Sequence, residues 1–556
     1  MKINNVKTFR ELVDRLKERG DKPVLMERRG GDFQKVTYTE LHRNAKAISE
    51  YLHRLVINKG DRIAILSPSR LEWGQIYLGA VYGGRTVIPL DPQLNEEEIG
   101  NLIRISEAKV VFTTEKFIPL IKKQFPNMPV FTIDDSGETK FSDIVVRGIN
   151  FLKEGETQVE VTPDDIASII FTSGTTGISK GVVLSHYNFI SDAILAEELL
   201  NLQEEDIFLS VLPIHHTFEF TADFLDPIVR GCSIVYARSL KSKELLEDLR
   251  DTKATMLLGV PLLFEKLYTG IVKKLKKENV LKRMLINYGI KKGNRDAHRN
   301  NNVPVRNFVT NMLLEKAGLA SLRVMIAGGA ALRPDVEEGI RAMGIGIVQG
   351  YGLSEASPIV TINPPDRPKV GSIGLPIPKI EVKIFEPDRD GVGEIIVRGS
   401  IVMKGYYRNI EETRKTIVDG WLHTGDMGYK DNDGYFYITG RKKSLIVTSG
   451  GKNVFPEEIE YKLVSHDLIS EALVYGVYNE EKKGEEIKAV IYPEYENIDC
   501  LEENIDCYKN KIKEVVKEIN DKSPDYKRIS SVEIRRDEFI KTTTRKIKRY
   551  MYEKKE

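Results

Sequence analysis

The chain has 556 residues, and its 83 basic and 82 acidic side chains leave a formal net charge of +1. That length exceeds what one hydrophobic core sustains, so two or more domains are expected, and the near-zero charge excludes a whole-protein field for nucleic acid. Three cysteines, Cys232, Cys500 and Cys507, are too few and of the wrong parity for a disulfide framework, leaving packed thiols as the plain reading.

The N-terminal stretch Met1–Lys22 alternates charges and lacks the apolar run of a secretion signal. No run of about eighteen apolar residues follows, so a cytoplasmic location is expected. Leu41, Ala45, Ile48, Leu52 and Leu55 recur at helical spacing and predict a helix over Thr39–Leu55. A short apolar strand, Arg62–Ser67, comes next, then a helical stretch through Trp73 and Tyr82, then a strand over Arg85–Leu90. This alternation predicts an open, largely parallel α/β sheet. It continues with Ile166–Phe171, Ser233–Tyr236, Met256–Leu258 and Val324–Ala327.

From about Val370 the texture changes to short β-like runs punctuated by Gly and Pro: Lys379–Phe385, Gly393–Gly399 and Gly434–Thr439. These predict an antiparallel β subdomain. Beyond Gly440 a charged α+β-like segment includes the alternations Leu473–Val477 and Lys488–Tyr492. The expected division is 1–440 and 441–556.

Residues 273–306 are a local charge anomaly, with Lys273, Lys274, Lys276, Lys277, Lys282, Arg283, Lys291, Lys292, Arg295, Arg299 and Arg306 opposed by little acid. Leu267, Ile271 and Leu275 mark an apolar face beside them. Such a stretch suits peripheral contact with the inner, anionic membrane face. A solvated helical insertion is the plainer reading.

The strongest chemical feature is Thr172-Ser173-Gly174-Thr175-Thr176-Gly177-Ile178-Ser179-Lys180-Gly181, directly after an apolar strand. Glycines leave backbone N–H groups uncovered, while hydroxyls and one ammonium add donors, making an anion cradle suited to nucleotide phosphates. It departs from the Walker pattern, because no Lys-Ser/Thr pair follows the glycine.

FTSGTTGISKGVVLSH resembles the phosphate loop of the adenylate-forming superfamily, which includes acyl-CoA synthetases, luciferases and peptide-synthetase adenylation domains. LPIHHTFE, AGGAAL, QGYGLSEASP, GWLHTGDMG, YITGRKKSLIVTSGGKNVFPEEIE and KTTTRKIKR follow in the family's order. The resemblance implies a large N-terminal domain of α/β sheets with a small β subdomain, plus a smaller, mobile α+β C-terminal domain. It implies ATP, Mg²⁺ and coenzyme A as cofactor and co-substrates, and a carboxylic acid as the group activated.

Residue by residue, the resemblance makes Gly329, Ala330 and Ala331 an adenine wall. Tyr351 becomes its stacking partner within Gln349-Gly350-Tyr351-Gly352, with Ser354 beside it. Glu355 and the Thr172 hydroxyl become Mg²⁺ ligands, oxygens of the kind that ion takes. Asp426 is implied for the ribose hydroxyls, with Arg441 donating to sugar or phosphate. His216 is implied near the acyl tunnel, and Gly450 and Gly451 beside pantetheine.

Lys546 is the implied catalytic cation, neutralising the repulsion between a carboxylate and the α-phosphate it attacks. Arg545 stands where the family usually has glycine. Lys443 matches the hinge about which the C-terminal domain turns, and Ser444 replaces a commoner acid. Val260–Tyr268 and the basic insertion resemble long-chain fatty acyl-CoA synthetases. Together these imply ATP-dependent ligation of a medium- or long-chain fatty acid to coenzyme A through an acyl-adenylate. Acyl-AMP or acyl-carrier-protein ligation and a non-catalytic nucleotide-binding scaffold are the alternatives.

Overall fold

The computed structural model describes residues 5–136, 139–173, 179–276, 284, 287–293, 295, 304–448, 452–481, 484–495, 498, 505–542 and 546–553. Two compact units emerge. One comprises Met1–Thr172, Ser179–Val382 and Val397–Leu422; the other comprises Ser173–Ile178, Lys383–Ile396 and His423–Glu556.

In the first unit, Thr37 caps the helix Tyr38–Arg54. Its side chain accepts from the Glu40 N–H while Glu40 reaches back to the Thr37 N–H. Leu41, Ala45, Ile48 and Leu52 are buried along one face. Leu55, expected to complete that stripe, is exposed at the C-cap. The next helix, Leu71–Tyr82, is buried at all twelve positions. It lies within the main core, which draws on Ile63, Ile65 and Val87 of one sheet and on Leu25, Phe208 and Ile234 of another.

The α/β alternation, read by itself as one open sheet, builds two, in keeping with the α/β sheets that the resemblance implies. The first has seven strands in the order Gly405–Tyr406, Ser179–Ser185, Ile166–Ser173, Thr86–Leu90, Arg62–Leu66, Val110–Thr113, Val130–Thr132. The second has nine: Leu375–Pro376, Ile359–Ile362, Gly346–Gly352, Val324–Ala327, Met256–Gly259, Ile207–Ser210, Ser233–Tyr236, Pro23–Arg29 and Asp32–Thr37. From Gly346–Gly352 through Pro23–Arg29 the pairings are parallel. Parallel strands buried on both faces explain the unbroken apolar runs.

The second unit takes, from His423 onward, the hairpin of Trp421–Lys430 and Phe436–Arg441, antiparallel as expected, with Asp426 opposite Arg441. Farther along, Ile469–Asn479 pairs antiparallel with Gly484–Pro493, which pairs parallel with Ser531–Ile534. The helices Pro456–Val464 and Ile505–Asp521 supply Ile459, Leu463, Ile512 and Val515 to the core of that sheet. The fold is thus α/β with a smaller α+β portion.

Two expectations change. Leu267 and Ile271 pack into the core beneath the nine-stranded sheet, so they do not form an outward apolar face. Arg306 points inward, donating to the carbonyls of Gly344, Ala320 and Leu322, and burial lowers its pKa. Lys273, Lys291, Lys292 and Arg295 are exposed. The Lys274, Leu275 and Lys276 side chains, and Lys277, Lys282, Arg283 and Arg299 entirely, lie outside the described residues. Cys232 is free and buried, whereas Cys507 is disulfide-bonded, so the reading of all three as packed thiols does not hold. Among the described residues no helix is long and apolar enough to cross a membrane.

Candidate active site

In open α/β sheets, ligands bind beyond the carboxyl ends of the strands. The candidate residues of the first unit collect there. Val324–Ala327 ends in Gly328, and Gly329, Ala330 and Ala331 are exposed just past it. Gly329 takes the left-handed φ of +83° and has no atom nearer than 4.0 Å to where a Cβ would sit. That leaves open space against backbone, as a flat ring requires.

The adjacent strand Gly346–Gly352 carries Gln349, Gly350, Tyr351 and Gly352. Gln349 is buried. Its Oε1 accepts from the Leu332 N–H at 3.0 Å, and its Nε2 donates to Glu337 at 3.3 Å. Its side chain therefore props the Gly328–Ala331 loop from beneath. Gly350 and Tyr351 are half-buried. A Cβ on Gly352 would lie 1.6 Å from the Pro358 carbonyl, so only glycine fits that turn.

Glu355 follows in a short 3-10 turn, Ser354–Ala356. Ser354 Oγ lies 2.8 Å from Thr217 Oγ1, fastening this turn to the segment that carries His216. Tyr406 donates its hydroxyl to Glu355 Oε1 at 2.9 Å. Burial, then the Glu355 charge, raises the phenol pKa, so it stays a donor. The segment Met403–Tyr407 is held by backbone. The Met403 N–H donates to the Glu355 carbonyl at 2.9 Å, and the Tyr407 N–H to the Gly181 carbonyl at 2.7 Å. Gly405 pairs with Val183.

Thr172 is the last residue but one of the strand Ile166–Ser173 that enters the phosphate loop, and its hydroxyl reaches the Lys180 carbonyl at 3.5 Å. Lys180 is ion-paired with Glu412 and lies 5.1 Å over the Tyr406 ring. The ammonium is thus stored against a carboxylate in this state. Gly174, Thr175, Thr176, Gly177 and the Ser173 side chain lie outside the described residues.

His216 is half-buried and caps the short helix Thr217–Glu219. His215 beside it is buried, 3.6 Å from Asp91 Oδ2 through Nε2. For a Mg²⁺ site, Glu355 and Thr172 offer the hard oxygens the ion takes, and Tyr406 donates to Glu355 through Oε1.

A second constellation forms within the other unit. Asp426 is buried, and Arg441 Nε donates to its Oδ1 at 2.6 Å. Glu394 braces the strand beside them. It accepts from Lys442 at 2.9 Å and from the Gly425 N–H at 3.0 Å, with His423 Nδ1 at 3.2 Å. Burial opposes its charge, but these donors outweigh burial and hold its carboxyl below the usual range.

Lys546 reaches the same neighbourhood. The residue as a whole is exposed, yet the protein packed around its amine lowers its pKa, Arg441 adds repulsion and Asp426 opposes them. A tight turn presents it. The Thr542 N–H donates to the Lys546 carbonyl at 2.8 Å, the Lys546 N–H returns to Thr542 Oγ1 at 3.2 Å, and Lys541 bridges to Ile547. Arg549 anchors that turn, donating to Glu460 at 2.7 Å, to Glu553 at 2.8 Å and to the Val474 carbonyl.

Lys443 lies exposed in the 3-10 turn Lys442–Ser444. Gly450, Gly451, Thr543, Thr544 and Arg545 lie outside the described residues.

Residues 12–407 match the family model described as AMP-binding enzyme, and residues 458–546 match the AMP-binding enzyme C-terminal domain. The chain belongs to the AMP-binding enzyme family.

Within it, the chain is 28% identical over 496 residues to a long-chain-fatty-acid–CoA ligase of Bacillus subtilis (strain 168), covering 82% of this chain and 81% of that one. It is 30% identical over 458 residues to a 2-succinylbenzoate–CoA ligase of Oceanobacillus iheyensis, covering 81% and 83%. Among solved structures, ATP-bound MatB from Rhodopseudomonas palustris superposes with a TM-score of 0.78 at 25% identity, covering 98% of each chain.

Sequence reasoning did not single out Tyr406, Glu412 or Thr217 as parts of the site. Tyr406 sits in Lys404-Gly405-Tyr406-Tyr407, where a glycine before two aromatics was the available signal.

Proposed function

We propose that this protein is an AMP-forming acyl-CoA synthetase that takes medium- or long-chain fatty acids. The carboxylate attacks ATP, giving acyl-AMP and pyrophosphate, and the thiol of coenzyme A then displaces AMP. Membership of the AMP-binding family supports the adenylate chemistry. The single observation that carries the reading is Lys546, presented on a tight turn beside the Asp426–Arg441 pair. A cation there meets the charge that develops when two anions react. Its lowered pKa makes the amine easier to neutralise at alkaline pH, so adenylation should fall as pH rises through that value.

Glu355 and Thr172 would hold the Mg²⁺ that accompanies ATP; bound there, the ion would neutralise phosphate charge. Tyr406 fixes the Glu355 carboxylate through its hydroxyl. The Gly328–Ala331 loop would receive adenine, with Gln349 holding that loop in shape. Residues 441–556 would turn about Lys443 between the half-reactions, withdrawing Lys546 and bringing Gly450 and Gly451 to pantetheine.

Similarity to the B. subtilis ligase supports a fatty acid, and the equally similar succinylbenzoate ligase is the competing precedent. The exposed Lys291, Lys292 and Arg295, with Met284 and Tyr288 exposed alongside, suit contact with an anionic membrane where such acids partition.

The test is pyrophosphate release across fatty, aryl and short dicarboxylic acids, with coenzyme A or carrier protein as acceptor. Fatty acids with coenzyme A should give the highest kcat/KM; preference for an aryl acid would overturn the substrate assignment. Lys546→Ala should lower acyl-AMP formation by about 10²–10³-fold while sparing thioester formation from supplied acyl-AMP. Equal loss of both half-reactions would overturn the role of Lys546.

A further inference from the structure

Near the nucleotide-binding loops, Asp91, His215 and His216 converge, with one ligand atom from each within 4.8 Å of the others. Asp91 follows the strand Thr86–Leu90 of the seven-stranded sheet, and the histidines follow Ile207–Ser210 of the nine-stranded sheet. The carboxyl ends of both sheets thus meet at this point.

His215 is 5% exposed, and neither ring nitrogen has a hydrogen-bond partner among the described residues. A buried imidazole without partners is costly, and native structures seldom leave one so. Its approach to Asp91 is 3.6 Å from Nε2 to Oδ2, too long for a hydrogen bond. That spacing fits another arrangement. Two ligands about 2.1 Å from a tetrahedral ion stand roughly 3.4 Å apart.

The His216 ring lies 4.2 Å from the His215 ring, at 46° to it, so both imidazoles flank the same space. The loop is rigid. Ser69 Oγ accepts from the Ile214 N–H at 3.0 Å and donates to the Leu212 carbonyl at 3.3 Å, and Asp91 Oδ1 accepts from the Gln93 N–H at 2.8 Å.

We propose that Asp91, His215 and His216 form a binding site for a divalent transition metal ion, with Zn²⁺ as its best match. Two imidazoles and one carboxylate suit borderline ions over Mg²⁺ and Ca²⁺, and three protein ligands leave one position open. The ion engages His216 next to the Thr217–Ser354 contact and Glu355. Occupancy therefore inhibits the ligase, a consequence that rests on the proposed function; binding itself does not.

The experiment is calorimetric titration of Zn²⁺ into chelator-treated, full-length protein, wild type beside Asp91→Asn, His215→Gln and the distant control His53→Ala. Folding of each variant is checked by circular dichroism. One equivalent should bind to wild type and His53→Ala. Affinity should fall in Asp91→Asn and His215→Gln by more than the roughly 10–100-fold that loss of an outer-shell partner brings. Absence of a one-equivalent event in wild type, or unchanged affinity in both folded variants, overturns the site. In a parallel assay of pyrophosphate release, Zn²⁺ should inhibit wild type and Asp91→Asn should relieve it. An inactive protein that still binds Zn²⁺ with this ligand dependence would sink the proposed function and leave the site standing.

Discussion

Replacing Gly328 with alanine tests how tightly the nucleotide loop and the histidine segment are coupled. A Cβ at that position would lie 2.3 Å from Phe218 Cζ and 2.8 Å from Cε1 and Cε2. Carbon atoms in good contact stand about 3.5–4.0 Å apart, so one partner must retreat by roughly 1.2 Å or more. The glycine is pinned from behind by its N–H bond to the Gly259 carbonyl at 3.1 Å. The ring must therefore move.

Phe218 sits between Thr217, which holds Ser354, and the buried Glu219, so its movement is transmitted to His216 and Glu355. Overpacking of this kind destabilises by about 1–3 kcal/mol, and a displacement near 1 Å at a reacting centre costs about 10²-fold in rate. Single-turnover acyl-AMP formation and chemical denaturation measure the two effects. Adding Phe218→Ala to Gly328→Ala should relieve the strain and recover part of both losses. If Gly328→Ala leaves rate and denaturation midpoint unchanged, the coupling is refuted.

Tyr406→Phe removes the donor to Glu355 without leaving a void. A hydrogen bond to a charged group contributes about 1.5–3 kcal/mol, and partial exposure puts this one at the low end, so kcat/KM for ATP should fall about tenfold; an unchanged value would show the contact to be idle. Arg549→Met strips the half-buried Glu460 of its partner and loosens the turn bearing Lys546. Stability should drop by about 1–2 kcal/mol in urea titration, and adenylation should fall more than thioester formation. Burial, then the Glu197 and Asp223 charges, pushes the Asp226 carboxyl well above its usual range. The folded state therefore holds this proton more tightly than the unfolded chain, and the stability it contributes in acid is lost as pH rises towards the raised value. As pH rises from the ordinary carboxylate range towards that raised value the denaturation midpoint should decline, and Asp226→Asn should flatten the decline; a wild-type midpoint that rises there would contradict it.

Much of the first unit was legible because its strands are buried on both faces and read as apolar runs. Ile63, Ile65 and Val87 are fully buried on the strands expected of them. The capped helix Tyr38–Arg54 was equally clear, apart from Leu55, where periodicity continued one residue past the point at which packing stopped. What sequence could not disclose was pairing between distant segments. Tyr406 meets Glu355 across 51 residues, and His215 approaches Asp91 from another sheet. Local spacing holds no record of such contacts. Alternation alone did not divide the strands between the two sheets for the same reason, since it gives the succession of strands and not the edge each one joins. Arg306 misled differently: a charge run suggests a solvated face, yet three carbonyls draw this guanidinium inward.

The segment beneath the histidines breaks more than one rule of core construction at once. Phe220–Leu225 runs as a π-helix, and carboxylate oxygens of Asp192 and Asp226 are buried without hydrogen-bond partners among the described residues, while the buried Glu219 and Asp223 carboxyls bond to each other and to Ser210. Packing alone would favour apolar residues there, because each unsatisfied polar group is destabilising. π-Helical turns of this kind occur often at functional sites, and local violations concentrate where a fold gives up stability for activity. Glu219, Asp223 and Asp226 lie directly along the chain from His215, His216 and Thr217, and Asp192 faces them from the helix His186–Leu200, so their burial cost falls on the element that sets the histidines against Asp91 and Ser354. Stability relieved by neutralising one of these acids should therefore come with altered chemistry at His216, which separates a functional strain from a merely tolerated defect.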